Sequence, residues 1–179
     1  MIEVRGILLF LMAMISGQEI LPTGELANAR IEVFKARRVL LLYEGERLVG
    51  SYCVALGTNP GRPKEVEGDG ATPEGTYFIC EKNPYSNFYL SLGVSYPGPQ
   101  DAERGLNAGL ISKEEYDAIQ SAAALRVSPP WKTKLGGEIF VHGEGAGPDW
   151  TKGCIAVDNC DMEELYRLVP LNTPITIYP

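Results

Sequence analysis

The chain contains a single histidine, His142, and twelve positions later comes Cys154. A thiol attacks carbonyl carbon as its thiolate, and an adjacent imidazole is the simplest means of taking its proton near neutral pH. Between them lie eleven residues (143 to 153), among them Gly143, Gly145, Gly147, Pro148 and Gly153. Such a composition turns sharply and leaves backbone amides uncovered. Taken alone, a histidine after the apolar run Ile139-Phe140-Val141 reads as a structural residue, and a cysteine before Ile155 and Val157 as a small buried hydrophobe. Together in one glycine-rich loop they point to nucleophilic chemistry at a carbonyl. If they are partners, ion pairing should pull the thiol below its ordinary value of about 8.5 and raise the imidazole.

Other chemistries find little support. With one His and no Cys-x-x-Cys pair, a zinc site would need Cys53, Cys80, Cys154 and Cys160 to converge from unsuitable spacings. No Gly-x-Ser-x-Gly segment or phosphate loop is present. The expected reaction therefore needs no metal and no cofactor. A formal charge of -7 argues against nucleic acid as a partner. The basic residues Lys35, Arg37 and Arg38 read as solvating a turn. Cys53 and Cys80 fall in expected strands, as core residues or as a disulfide pair, whereas a Cys154–Cys160 bridge would remove the nucleophile.

The elements that must position the pair are mostly strands. The 179 residues, 45% hydrophobic and 22% charged, suit one domain with a full core. Apolar runs of strand length cover Arg30–Lys35, Val39–Tyr43 and Arg47–Ala55, with Glu44-Gly45-Glu46 as a hairpin loop and Val39–Leu42 apolar on both faces. A Gly/Pro-rich loop from Gly57 leads through Thr72-Pro73-Glu74-Gly75 into a strand at Thr76–Glu81. Phe88–Tyr96 alternates as a strand should. Residues 97–137 break the pattern: Ser112-Lys113-Glu114-Glu115 is a capping box opening a helix to Leu125, and a shorter helix is expected over Asp101–Asn107. This segment precedes the strand that delivers His142, which suits a lid or wall over the site as well as a plain surface excursion. Asp161-Met162-Glu163-Glu164 offers another capping pattern, and Pro174–Tyr178 reads as a final strand. The fold class is mainly β, a single β-rich barrel or sandwich with two or three short helices.

At its start, Arg5 followed by the ten apolar residues Gly6–Ile15 and then Ser16-Gly17 reads as a secretory signal over residues 1–17, too short to span a bilayer comfortably. Residues 18–28 then form a linker and 29–179 the functional domain. The expected location is exported, in the periplasm or against the cell wall.

At His142-Gly143, Thr151-Lys152-Gly153-Cys154-Ile155 and Thr72-Pro73-Glu74-Gly75 the chain resembles the catalytic domain of the L,D-transpeptidases, a family of bacterial cell-wall enzymes. That family's pattern is a strand ending in His-Gly, a variable loop, then Ser or Thr, one residue, Gly-Cys, a hydrophobic residue and usually Arg or Asn. The resemblance implies Cys154 as the acyl-accepting nucleophile, His142 as its base, and a carbonyl at or next to Gly143 orienting the ring. It also implies amides of Gly153 and Cys154 as oxyanion donors. Thr151, Trp150 and Lys152 fall beside the substrate, and Asp149 next to Trp150 is a further candidate for the acyl pocket. The implied partners are peptidoglycan stem peptides, processed by a monomer with no membrane span in the mature chain. Three positions depart from the pattern: the loop is short, Lys152 stands where His is common, and Ala156 replaces the usual Arg or Asn.

Two other readings have distinct signatures. A sortase-like transpeptidase would carry a Thr-Leu-x-Thr-Cys strand and a separate catalytic Arg, whereas Cys154 follows Lys152-Gly153. A non-catalytic wall-binding module would leave Cys154 unreactive.

Overall fold

Alternating apolar positions build the first hairpin of the computed structural model, which describes residues 24–179. Strand β1 (Ala29–Phe34) buries every second side chain, Ala29, Ile31 and Val33. It pairs antiparallel with β2 (Val39–Glu44), which turns through Gly45 and Glu46 into β3 (Arg47–Cys53). Gly45 has φ +58, the left-handed conformation a two-residue hairpin loop requires. Leu40 and Leu42 are buried while Leu41 is half-buried, so β2 buries one face instead of the two expected. The expected signal over 1–17 and residues 18–23 of the expected linker lie outside the described residues. Leu26 already belongs to the core, its amide donating to the Leu168 carbonyl at 2.9 Å.

The remaining strands are β4 (Gly75–Ser86), β5 (Tyr89–Val94), β6 (Phe140–His142), β7 (Ile155–Ala156) and β8 (Pro174–Tyr178). Together they form one eight-stranded sheet in the order β3-β2-β1-β8-β4-β5-β6-β7. The sheet curls until its ends meet: just beyond β3, Ala55 and Ala156 exchange two hydrogen bonds of 2.9 and 2.8 Å. A second bridge, Gly57 to Thr151, joins the two ends just beyond it. The result is the mainly β barrel expected from the sequence.

Three helices accompany it. Helix α1 (Pro99–Asn107) starts two residues before its expected boundary because Pro99 suits the first turn and the Asp101 carboxylate accepts from the Gly98 amide. Helix α2 (Lys113–Leu125) begins at the expected capping box, with Ser112 and Glu115 bonded reciprocally. Helix α3 (Asn159–Leu168) does not start at the Asp161 pattern; Asp158 is its cap, and Asp161 lies in the first turn. The Asp158 carboxylate accepts from the Ala146 amide instead of capping its own helix, so the usual capping signature is missing. Met162, Leu165 and Leu168 of α3 pack into the barrel core, each such burial worth about 1.5–3 kcal/mol. The 97–137 segment has a second small core of Ala102, Ile111, Ile119 and Leu135, joined to the barrel by Tyr96, whose hydroxyl donates to the Leu135 carbonyl at 3.0 Å.

Candidate active site

Strand register places the two reactive residues. In the parallel pair β6–β7, Val141 lies opposite Ile155 and His142 opposite Ala156. Val141 and Ile155 are fully buried in the core. Side chains alternate along strands, so His142, together with Cys154 just before β7, belongs to the other face, diagonal to one another. Both line one cleft of about 1090 Å³.

His142 is held on several sides. Its Nδ1 lies 2.7 Å from the Gly143 carbonyl oxygen, to which the neutral ring donates, leaving Nε2 as the acceptor. Phe88 stacks on the imidazole with centroids 4.7 Å apart, and Trp150 meets it edge-on at 5.6 Å. Trp150 is itself fixed by an indole bond to the Gly145 carbonyl at 3.2 Å. Phe88 escapes its expected place in a strand because β5 begins only at Tyr89, whose φ of +73 turns the chain there. Gly143 must be a glycine: a Cβ would meet Asn159 Oδ1 at 2.4 Å, and that oxygen accepts from the Glu144 amide.

The turn carrying Cys154 is fixed through its backbone. Thr151 is buried, its amide donating to the Leu56 carbonyl at 3.1 Å and its hydroxyl to the Cys154 carbonyl at 2.8 Å. The Gly153 amide donates to the same hydroxyl oxygen at 3.1 Å, so Thr151 braces the turn and the Gly153 N–H is occupied in this state. Gly153 has φ +133, and a Cβ there would strike the Ala71 carbonyl at 2.7 Å. The Thr72-Pro73-Glu74-Gly75 segment therefore acts as a floor under the nucleophile turn: Thr72 Oγ1 accepts from the Gly57 amide at 3.0 Å, beside Gly153. Lys152 is exposed at the cleft rim.

Asp149 turns away from the cleft expected for it. Its carboxylate receives two bonds of 3.0 and 2.6 Å from the Arg38 guanidinium and one of 2.9 Å from the Leu56 amide. Burial alone would raise this carboxyl, but Arg38 and the Leu56 amide overcome it and hold it below the usual carboxylate range. Arg38 is thus a tether for the catalytic loop, not a solvated turn residue. Lys35 is likewise buried, 1% exposed, with Nζ donating to the Arg62 and Thr72 carbonyls and to Glu74 at 2.7 Å. Sequence distance hides both contacts: their partners lie 39 and 111 residues away.

The charge state of the pair differs from the expectation. Burial pushes the Cys154 thiol up, against the pull of the Phe140 backbone and the Lys64 charge. It pushes the His142 imidazole down, against its bond to Gly143. Both shifts run against charge on either group, the opposite of the directions expected for an ion pair. The half-buried thiol lies 3.5 Å from the Glu138 carbonyl, to which it donates. Glu138 adopts φ +53 just before the apolar run Ile139-Phe140-Val141, and nothing in the sequence hints at this contact. All four cysteines are free, and Cys53 is exposed at the end of β3 instead of lying in the core. Among the described residues, no group of three or more His, Cys, Asp or Glu is placed to hold a metal ion.

A model of the L,D-transpeptidase catalytic domain, the YkuD family, matches residues 28–177. The chain belongs to this family. YafK of Escherichia coli strain K12 is 24% identical over 145 residues, covering 78% of this chain and 46% of that protein. The chain thus spans about half the length of the curated relatives it matches. Among solved structures, the helical cell shape determining protein Pgp2 from Campylobacter jejuni aligns with a TM-score of 0.60 at 23% identity, over 88% of this chain and 50% of that one. Bd1075 of Bdellovibrio bacteriovorus gives 0.55 at 24%, over 88% and 51%. An L,D-transpeptidase from Xylanimonas cellulosilytica gives 0.50 at 15%, over 88% and 63%. These likenesses are to the L,D-transpeptidase fold.

Proposed function

We propose that this protein is a cysteine-dependent peptidoglycan L,D-transpeptidase, exported to act on the wall. The observation that carries the reading is the setting of His142: ring orientation fixed by the Gly143 carbonyl and two aromatic rings, Nε2 unblocked, in the cleft that holds Cys154. In the first half-reaction His142 Nε2 takes the thiol proton as sulfur attacks the carbonyl of a dibasic stem residue. The tetrahedral intermediate collapses to a thioester, and imidazolium returns the proton to the departing D-Ala amine. In the second half, an amine or water attacks the thioester as His142 takes its proton, and sulfur leaves and is reprotonated by the imidazolium. The Cys154 amide is the oxyanion donor; the Gly153 amide joins it only if the Thr151 hydroxyl releases it. General acid–base action is worth roughly 10²- to 10⁴-fold and an oxyanion donor roughly 10²-fold or more.

The 131–138 stretch supplies one wall of the cleft, with Trp131 packed on Phe140 at 5.6 Å. That position suits a substrate-covering role for the 97–137 segment. The test is release of D-Ala from a stem tetrapeptide, followed in wild type and Cys154→Ala at matched thermal stability. The reading requires release that resists chelators and vanishes in the variant. Release that persists in Cys154→Ala, or that EDTA abolishes and zinc restores, defeats it.

A further inference from the structure

Ala156, where the family pattern usually has Arg or Asn, is 0% exposed, and its backbone N–H and C=O are both bonded to Ala55. It presents no charge or amide to a substrate. The cleft has four lysines in its wall, and three of them, Lys132, Lys134 and Lys152, are exposed. Solvent and salt screen such charges. Lys64 is different: it is 4% exposed, and its Nζ donates to the Val66 carbonyl and to Asp69 Oδ1, each at 3.0 Å.

Those two bonds leave one of the three ammonium protons. Asp69 is its buried ion-pair partner, held in place and ionised by the amides of Glu65 at 2.8 Å, Val66 at 3.1 Å and Ala71 at 3.0 Å, so what Lys64 offers a second anion is the remaining N–H donor. The loop bearing Lys64 is pinned from outside as well: Arg104 of α1 donates to the Lys64 carbonyl at 3.3 Å, and the Glu67 amide donates to the Lys134 carbonyl at 2.9 Å. A lysine ordinarily loses much side-chain freedom on meeting an anion; this one has lost it already. Its charge is also felt at Cys154.

We propose that Lys64 is the specificity-determining cation of this cleft and receives the free α-carboxylate of the residue that leaves when Cys154 is acylated. In a peptide attacked by Cys154, that carboxylate lies three bonds beyond the attacked carbon. A terminal carboxylate would then be required for good binding, and the same stem ending in an amide would be a poor substrate. This inference rests on the transpeptidase reading for its substrate, but the local claim, a fixed cation beside the thiol, does not.

The test uses two alkylating agents on the full chain, anionic iodoacetate and neutral iodoacetamide, with each cysteine scored by peptide mapping. The iodoacetate-to-iodoacetamide rate ratio cancels the thiol's own reactivity. In wild type the ratio at Cys154 should exceed that at exposed Cys53. Lys64→Met should lower it roughly tenfold, the scale of one charge-assisted hydrogen bond, and Lys64→Arg should keep most of it. Lys134→Met should change it less than about twofold. Because Lys64→Met leaves Asp69 unpaired, Lys64→Met/Asp69→Asn is the second variant and should show the same fall. A wild-type ratio at Cys154 no higher than at Cys53, or one unchanged in both variants, overturns the proposal. With stem tetrapeptides, wild type should prefer the free terminus over the amide through KM, and Lys64→Met should lose that preference. A preference intact in Lys64→Met also overturns it. If wild type releases nothing from either peptide, the transpeptidase reading fails and the alkylation ratio still decides for or against the cation.

Discussion

The two sides of the cleft hold their reactive groups in different ways. His142 sits at the end of a paired strand, its Nδ1 bonded to Gly143 and its ring between Phe88 and Trp150. Cys154 sits in a turn whose backbone is rigidly braced by Thr151 and Ala71, while its sulfur makes a long contact with the Glu138 carbonyl and feels the Phe140 backbone. The base is preset and the nucleophile is parked. A neutral thiol donating to a carbonyl is stable in a half-buried site, and it protects sulfur from adventitious attack because the thiolate is the reactive form. In the proposed reaction, activation belongs to the moment when substrate displaces the contact with Glu138 and the proton passes to Nε2.

Removing the preset side should have the largest effect. His142→Ala is expected to lower D-Ala release by roughly 10²- to 10⁴-fold, since no other imidazole exists to replace it. In wild type the acid limb of kcat/KM should fall at a pH below the ordinary imidazole value of about 6.5, because burial depresses this pKa. The same shift makes the folded protein bind fewer protons than the unfolded chain, so His142 destabilises the fold as pH drops from 6.5 through its depressed value. An acid limb above 6.5 would mean that an anion, not burial, dominates around the ring.

Loosening the clamp without removing the base sharpens the contrast. Phe88→Ala takes away the stacking ring and should cut kcat about tenfold, with far less change in the alkylation of Cys154. Equal losses in both would show that the two sides are one packed unit. The smallest effect is expected at the tether. Asp149→Asn removes the charge facing Arg38 and should cost about 1 kcal/mol in thermal unfolding, discounted because Arg38 is partly exposed, with activity changed only a few-fold.

Much of this was legible beforehand. Hairpin, capping box and final strand follow from local periodicity and turn chemistry, and the lone His and the Gly-Cys turn come together in one cleft. Illegible were the contacts made across the barrel. Nothing local tells that Phe88 leaves its strand to cover His142, or that Arg38 reaches Asp149. Lys35 reads as a solvated turn residue and nothing local singles out Lys64, because sequence shows residue type, while burial depends on which loop folds over it. The directions of the two pKa shifts were not legible for a related reason. Adjacency of a thiol and an imidazole suggests an ion pair, but desolvation of both groups works against charge on either.

Alkylation of Cys154 against pH, read residue by residue in the substrate-free protein, tests the parked nucleophile most directly. A neutral pair predicts a midpoint above the free-thiol value of about 8.5, little altered in His142→Ala. A midpoint well below that value, lost in His142→Ala, would show a standing thiolate–imidazolium pair and contradict the account.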